Sequence, residues 1–141
     1  MAGTKVLLDT GALVAYLSQT DQHHRWSVEA WSNLYEPLWT CEAVMSEAIF
    51  LLQSEGLSIE PLLELVERGI VTLKFNAATH QPDLWRLLRK YSDRPMSLAD
   101  ACLVRMAEIT EQCQVFTTDR DFLVYRRKGR HVIPLLAPFE S

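Results

Sequence analysis

The stretch KVLLD, at Lys5–Asp9, is a short apolar run that ends on an acidic residue, and VFTTD at Val115–Asp119 repeats this arrangement near the other end of the chain. If both runs form parallel strands, Asp9 and Asp119 emerge at the carboxyl edge of one sheet, where open α/β sheets bind ligands. Each acid alone would also suit a strand-to-helix connection, where Asp often caps the next helix. Together, the two acids favour a metal-dependent enzyme.

The composition indicates an ordinary globular domain and argues against a nucleic-acid binder that relies on bulk charge. The chain has 141 residues, of which 48% are hydrophobic and 23% charged, and its formal net charge is −4. We therefore expect a single domain over residues 1–141 with a sizeable core. A net negative charge is unusual for a general nucleic-acid binder, but it allows an enzyme that holds nucleic acid locally with a metal and a small basic patch.

The cysteines and the chain start indicate a reducing, cytoplasmic compartment. Cys41, Cys102 and Cys113 have no C-x-x-C spacing and predict no zinc or redox motif. Their odd number, together with the lack of an export signal at Met1–Lys5, favours a compartment without disulfides. Cys102 lies in an apolar helical run and is expected in the core. No apolar run approaches the roughly 18 residues of a membrane span, so no membrane association is expected.

Strand-like and helix-like segments alternate along the chain. This alternation is typical of βαβ units and predicts an α/β fold with a mostly parallel sheet. The nearly continuous apolar run at residues 6–8 fits a central strand that is buried on both faces. The predicted strands span residues 6–8, 38–40, 70–75, 115–118 and 132–135, and the predicted helices span 12–17, 22–34, 42–54, 59–68, 81–91 and 97–111, with a helical turn at 122–125.

Two further carboxylates stand out by their surroundings. Glu47 lies among apolar residues of the predicted helix 42–54, where a buried and unpaired carboxylate would be costly. An exposed polar stripe or an ion pair would also explain it. Asp100 follows Ser97 at capping-box spacing, with Asp in the place usually held by Glu. The same position directs Asp100 from the first helical turn towards the sheet edge, where the helix dipole favours its ionised form.

Four carboxylates at one edge would have to be protonated, paired or neutralised by a cation. At roughly 6 Å and an effective dielectric of 20, each like-charged pair costs on the order of 3 kcal/mol. Several such pairs would rival the roughly 5–15 kcal/mol by which a domain is stable. Ligand sets made only of oxygen favour Mg²⁺ or Mn²⁺ over zinc, and the four histidines lack the H-x-x-x-H spacing of a zinc site.

Four segments together resemble the PIN domain family. They are VLLDTGAL at Val6–Leu13, SE at Ser46–Glu47, SLADA at Ser97–Ala101 and FTTDRDF at Phe116–Phe122. None is specific alone. Their order and spacing, and the length of the chain, are similar to those of the small VapC-like PIN proteins that serve as toxins of type II toxin–antitoxin pairs.

The resemblance implies a three-layer α/β/α fold with a mostly parallel five-stranded sheet, and an Mg²⁺- or Mn²⁺-dependent endoribonuclease that hydrolyses RNA phosphodiester bonds. It implies supporting roles for Thr10 and Thr118 beside the acids and for Asp121, whose alternative role is a turn or helix cap. It further implies a homodimer and an antitoxin protein whose tail crosses the active-site groove. The catalytic and metal-binding acids that it assigns in this sequence are Asp9, Glu47, Asp100 and Asp119.

One dense basic patch follows Asp119 along the chain. Its candidate RNA-binding residues are Arg120, Arg126 and Arg127, because Lys and Arg side chains commonly hold phosphates. A solvated loop is the alternative explanation for this patch. Further basic residues at 86–94 would extend it if their helix faces the same edge.

Two other functions compete with the nuclease. A phosphohydrolase with an aspartyl nucleophile usually carries a second acid two residues after the first, where this chain has Gly11, and a phosphoacceptor domain would need paired acids after the first strand. A PIN-like protein retained as a non-enzymatic protein- or RNA-binding module would be expected to have lost acids, and all four are present. The sequence favours the nuclease and leaves its RNA target open.

Overall fold

A five-stranded parallel sheet forms the centre of the computed structural model, which describes residues 3–140. The strand order is β3-β2-β1-β4-β7, so the strand nearest the start of the chain lies in the middle. The strands are β1 (Lys5–Leu8), β2 (Leu38–Thr40), β3 (Val71–Leu73), β4 (Cys113–Phe116) and β7 (Leu135–Leu136), and a separate pair is formed by β5 (Arg126–Arg127) and β6 (His131–Val132).

Six α-helices flank this sheet within residues 3–140. They are α1 (Thr10–Leu17), α2 (His24–Ser32), α3 (Glu42–Ser54), α4 (Glu60–Glu67), α5 (Gln81–Lys90) and α6 (Leu98–Ile109). Every side chain from Val6 to Leu8 is at most 3% exposed. Because successive side chains of a strand point to opposite faces, β1 is covered on both sides of the sheet. The predicted α/β fold with a mostly parallel five-stranded sheet is confirmed. Within residues 3–140, every helix is too short or too polar to cross a lipid bilayer.

The register of the central strands decides what meets at the carboxyl edge. Leu7 of β1 pairs with Trp39 of β2, and Leu8 pairs with Phe116 of β4, both in parallel. Asp9 therefore leaves the sheet beside the residues that follow β4. The backbone N–H of Asp9 donates to the Phe116 carbonyl at 3.0 Å, which fixes this alignment.

Most predicted elements have ends within two residues of those in the structure, and two differ in ways that local contacts explain. The predicted helix 22–34 is shorter, because Asp21 accepts a hydrogen bond from the His23 backbone at 2.8 Å and forms a turn before α2. The predicted strand 132–135 is divided in two. Its first part pairs antiparallel with β5 through a turn with positive φ at Lys128 and Gly129. Only the part after Pro134 joins the main sheet, where it pairs with β4.

Candidate active site

Four elements direct acidic side chains to the carboxyl edge of the sheet. Asp9 follows β1 and caps α1, while Asp119 follows β4 and caps the short 3-10 helix Arg120–Leu123. Asp100 lies in the first turn of α6, and Glu47 lies in the second turn of α3. The acids are close enough to interact electrostatically: Asp9 is repelled by Asp100 and Asp119, and Asp100 by Asp119 and Glu47. The structure therefore brings the four predicted acids together.

Asp9 is the most enclosed of these acids, at 4% exposure. Its Oδ1 accepts a hydrogen bond from the Thr10 backbone at 2.8 Å, and its Oδ2 accepts one from the Thr117 hydroxyl at 2.6 Å. Burial raises the pKa of Asp9 from 3.8 to about 7, and repulsion by Asp100 and Asp119 adds to the rise, while the two hydrogen bonds oppose it. Near neutral pH the buried carboxyl therefore holds a proton easily.

Asp100 has a similar environment with different partners. Its backbone N–H donates to the Ser97 hydroxyl at 3.0 Å, and its Oδ2 accepts from the Ser97 backbone at 3.1 Å, which completes a capping box. The same Oδ2 accepts from the Tyr125 hydroxyl at 3.4 Å. Burial raises the pKa of Asp100 from 3.8 to about 6, with repulsion from Asp119 and Glu47 contributing. The predicted cap and the predicted position at the edge are thus both present in one residue.

Glu47 is tied to the start of α1. The Thr10 hydroxyl donates to Glu47 Oε1 at 3.0 Å, so the first residue of α1 is linked to α3. Glu47 is partly buried and also lines an open groove of about 550 Å³ together with Ser46, Phe50 and Leu51. Phe50 is 69% exposed on this groove. The groove thus offers an apolar surface directly beside Glu47.

Thr117 is a site residue that the sequence analysis missed. Its hydroxyl donates to Asp9 and accepts from the Asp119 backbone at 2.9 Å, so it connects two of the acids. The predicted hydroxyl, Thr118, instead lies against Gly11, where a Cβ atom would overlap its Oγ1. The two threonines are adjacent in the sequence. The register of β1 and β4 decides which of them faces Asp9.

Asp121 has a local structural role in this geometry. Its backbone N–H donates to Asp119 Oδ1 at 2.9 Å, and its own Oδ1 forms an ion pair with Arg94 Nη1 at 3.2 Å. Asp121 therefore shapes the turn that carries Asp119 and is itself neutralised by a neighbouring cation.

The three arginines of the basic patch are used differently. The Arg126 guanidinium donates to the carbonyls of residues 123, 124 and 125. The Arg127 guanidinium donates to the carbonyls of residues 107, 110 and 111 at the carboxyl end of α6, whereas Asp100 lies at the opposite end of that helix. Arg120 is exposed and lies 4.8 Å from the centre of the Phe139 ring. Of the three candidates for RNA contact, only Arg120 directly follows an acid of the site and has no hydrogen bond to the protein among residues 3–140.

The donor atoms at the edge match a hard divalent cation. Asp9, Asp100 and Asp119 provide only carboxylate oxygens, which Mg²⁺ and Mn²⁺ prefer. Within residues 3–140, no three Asp, Glu, His or Cys side chains already converge on one point as a ready metal site. Because the acids repel one another, a bound cation would remove the cost of drawing their oxygens closer.

Comparisons with known proteins agree with this fold. A family model described as the PIN domain matches residues 6–128. Among solved structures, the chain is similar to VapC20 from Mycobacterium tuberculosis, which is described as a toxin that cleaves the sarcin–ricin loop. The TM-score is 0.72 at 18% sequence identity, with 83% of this chain and 92% of that chain covered. The sequence comparison with curated proteins gives no match.

Proposed function

Because the chain belongs to the PIN domain family, we propose that it is a divalent-metal-dependent endoribonuclease that hydrolyses RNA phosphodiester bonds. The observation that carries this proposal is that Asp9, Asp100 and Asp119 lie near enough to repel one another at the carboxyl edge of the sheet, with Asp9 and Asp100 both buried. Carboxylates with a purely structural role are not expected to cluster, because each one raises the free-energy cost of ionising its neighbours.

Asp9, Asp100 and Asp119 would hold the ion, Mg²⁺ or Mn²⁺, and Glu47 would either join them or orient the attacking water. When bound, the ion lowers the pKa of a water and stabilises negative charge on the phosphate. Thr117 keeps Asp9 and Asp119 at a fixed separation, because its hydroxyl contacts both. This arrangement needs no histidine as acid or base.

The substrate would reach the acids from the open side of the edge. Arg120 is the best-placed basic residue for a phosphate, since it is exposed and directly follows Asp119 in the chain. Thr10 and Thr118 remain candidates for contacts to the acids or to the phosphate. Arg126 and Arg127 are weaker candidates, because their guanidinium groups are occupied by backbone carbonyls.

We further propose that the protein is the toxin of a toxin–antitoxin pair and forms a homodimer, as the VapC-like resemblance implies. The groove beside Glu47 supports an antitoxin contact, because exposed Phe50 and Leu51 offer apolar surface next to this acid. A partner that fills this groove would also block access to Glu47.

The test is RNA cleavage in the presence of Mn²⁺, Mg²⁺ or EDTA, with a panel of folded and single-stranded RNAs that includes a sarcin–ricin loop. Wild type should cleave at least one RNA with metal and none with EDTA. Asp9→Asn and Asp100→Ala should lose this activity, while Asp93→Asn, at an exposed acid that is not one of the four, should keep it. Asp100→Ala should still fold, because loss of a cap costs only about 1 kcal/mol.

Cleavage that survives EDTA, or that is equal in Asp100→Ala and wild type, would contradict the proposed mechanism. Failure of the wild type to bind metal or to cut any RNA would instead favour a non-enzymatic binding module.

A further inference from the structure

We propose that Tyr125 is a positioning residue for Asp100. The buried hydroxyl of Tyr125 holds one carboxylate oxygen of Asp100, so that the other oxygen faces the sheet edge. This inference rests on the proposed function, because it concerns how Asp100 is presented to a divalent ion. Neither the sequence motifs nor the family match singles out Tyr125.

The hydrogen bonds to Asp100 are concentrated on one of its two oxygens. Oδ2 accepts from the Ser97 backbone at 3.1 Å and from the Tyr125 hydroxyl at 3.4 Å. In the described part of the chain, every buried side-chain oxygen or nitrogen has a hydrogen-bond partner. The other oxygen, Oδ1, accepts no hydrogen bond from these residues, so it must be accessible to solvent. The carboxylate is thus anchored through Oδ2, and Oδ1 remains available at the edge.

The aromatic ring of Tyr125 is held rigidly in place. The residue is fully buried, and its ring packs edge-on against Tyr91 at 5.0 Å and Phe122 at 5.2 Å. The Tyr91 hydroxyl is engaged elsewhere, because it accepts a hydrogen bond from the Arg126 backbone at 2.9 Å. A donor on such a support approaches Asp100 from one direction only.

Packing alone does not explain the hydroxyl. A Phe side chain would fill the same space between Tyr91 and Phe122, and a buried hydroxyl without a partner is costly. Asp100 is the one hydrogen-bond partner of the Tyr125 hydroxyl among residues 3–140. Donors behind a metal ligand orient it, and their loss typically costs about 10–100-fold in metal affinity. The long contact of 3.4 Å favours the lower end of that range.

The experiment compares Tyr125→Phe with Tyr91→Phe. Both changes remove one hydroxyl from neighbouring rings, but the Tyr91 hydroxyl contacts a backbone N–H and no acid. Mn²⁺ binding is measured without RNA, by calorimetry or by the electron paramagnetic resonance signal of free Mn²⁺. RNA cleavage is then followed over a range of Mn²⁺ concentrations, and thermal unfolding is measured in EDTA.

Tyr125→Phe should weaken Mn²⁺ binding about tenfold, and raise the Mn²⁺ concentration for half-maximal cleavage by the same factor. At saturating Mn²⁺ its kcat and KM should return to the wild-type values, because the ion itself then draws Asp100 into place. Tyr91→Phe should lower the melting temperature in EDTA and leave the Mn²⁺ affinity unchanged.

Wild-type Mn²⁺ affinity in Tyr125→Phe would overturn the proposal, and so would an equal loss of affinity in Tyr91→Phe, which would show that the loss does not depend on a hydrogen bond to Asp100. A Tyr125→Phe protein that cannot fold in EDTA would also overturn it, since the hydroxyl would then be required by the fold itself. A wild type that binds no Mn²⁺ would remove both this inference and the proposed function. Mn²⁺ binding without cleavage of any RNA, combined with the tenfold loss in Tyr125→Phe, would support the positioning role and remove only the proposed reaction.

Discussion

Replacing the most enclosed acid of the site should stabilise the metal-free protein while abolishing its proposed activity. Asp9 is 4% exposed, and burial together with repulsion from Asp100 and Asp119 raises its pKa from 3.8 to about 7. Ionising Asp9 at pH 8 without a cation therefore works against folding. Asp9→Asn removes that charge and retains a side chain of nearly the same size.

The magnitude follows from the shift in pKa. A group whose pKa is raised by folding adds stability at low pH, and this stability is lost as the pH rises through the folded pKa of about 7. At about 1.4 kcal/mol for each pKa unit, the full loss is on the order of 4 kcal/mol, of which about 3 kcal/mol falls between pH 5 and pH 8. Asn keeps an oxygen for the Thr10 backbone but cannot accept from the Thr117 hydroxyl through its amide nitrogen, which costs about 1 kcal/mol. Asp9→Asn should thus be more stable than wild type by about 3 kcal/mol at pH 8.

The assay is urea unfolding in EDTA at pH 5 and pH 8, with Asp93→Asn as the matched control because Asp93 is exposed. Wild type and the control should both lose stability between the two pH values, and Asp9→Asn should lose much less. Mn²⁺ at 100 times its Kd should then stabilise wild type by about 2.7 kcal/mol at pH 8 and have little effect on Asp9→Asn. A wild type equally stable at both pH values, or an Asp9→Asn variant less stable than wild type at pH 8, would refute the argument that Asp9 is an unneutralised buried acid.

Three further outcomes are expected. Gly11→Ala should destabilise the protein by about 1–3 kcal/mol, because the new Cβ would overlap the Thr118 side chain. Adding Thr118→Ala should recover most of the loss in urea midpoint, and no recovery would mean that the overlap is not the cause. Thr117→Val removes the hydroxyl donor to Asp9, so it should cost about 1–3 kcal/mol and reduce RNA cleavage; full cleavage at wild-type metal affinity would show that this hydrogen bond is dispensable. Glu108→Gln should lower the free energy of unfolding by about 2 kcal/mol, since this buried carboxylate accepts hydrogen bonds from two arginines and a backbone N–H. RNA cleavage per folded molecule should be unchanged, and a drop in kcat would indicate coupling along α6 to the site.

The positions of the acids could be predicted because they depend on the direction of the strands. Once β1 and β4 are parallel neighbours, the residues that follow them must emerge at the same edge, whatever the details of packing. Asp9 and Asp119 needed only this rule. Asp100 needed only the spacing from Ser97 that marks the start of a helix, and the structure contains the corresponding capping box.

The partners of these acids could not be predicted, because they depend on register and on side-chain packing. Thr117 and Thr118 are equivalent in sequence, and only the pairing of Leu8 with Phe116 places Thr117 beside Asp9. The Tyr125 hydroxyl contacts Asp100 from the turn after Asp119. The two residues are 25 positions apart in the chain, so no local sequence pattern predicts their contact. The hydrogen bonds of Arg126 and Arg127 to backbone carbonyls could not be predicted either, since charge in the sequence does not show whether a guanidinium is already occupied.

The acids at the edge also stabilise the ends of helical segments, and this explains how the protein can fold without a cation at the site. Asp9, Asp100 and Asp119 each accept a backbone N–H at the start of a helical segment, where the positive end of the peptide dipoles partly offsets their negative charge. Replacing any one of them removes a cap but also relieves repulsion, and these two effects oppose each other in the free energy of unfolding. Substitutions at these acids should therefore change stability little or even favourably, while their effect on metal binding should be large. This separation is what distinguishes a functional acid cluster from a set of ordinary helix caps, since Ser or Asn at a plain cap would be equally good.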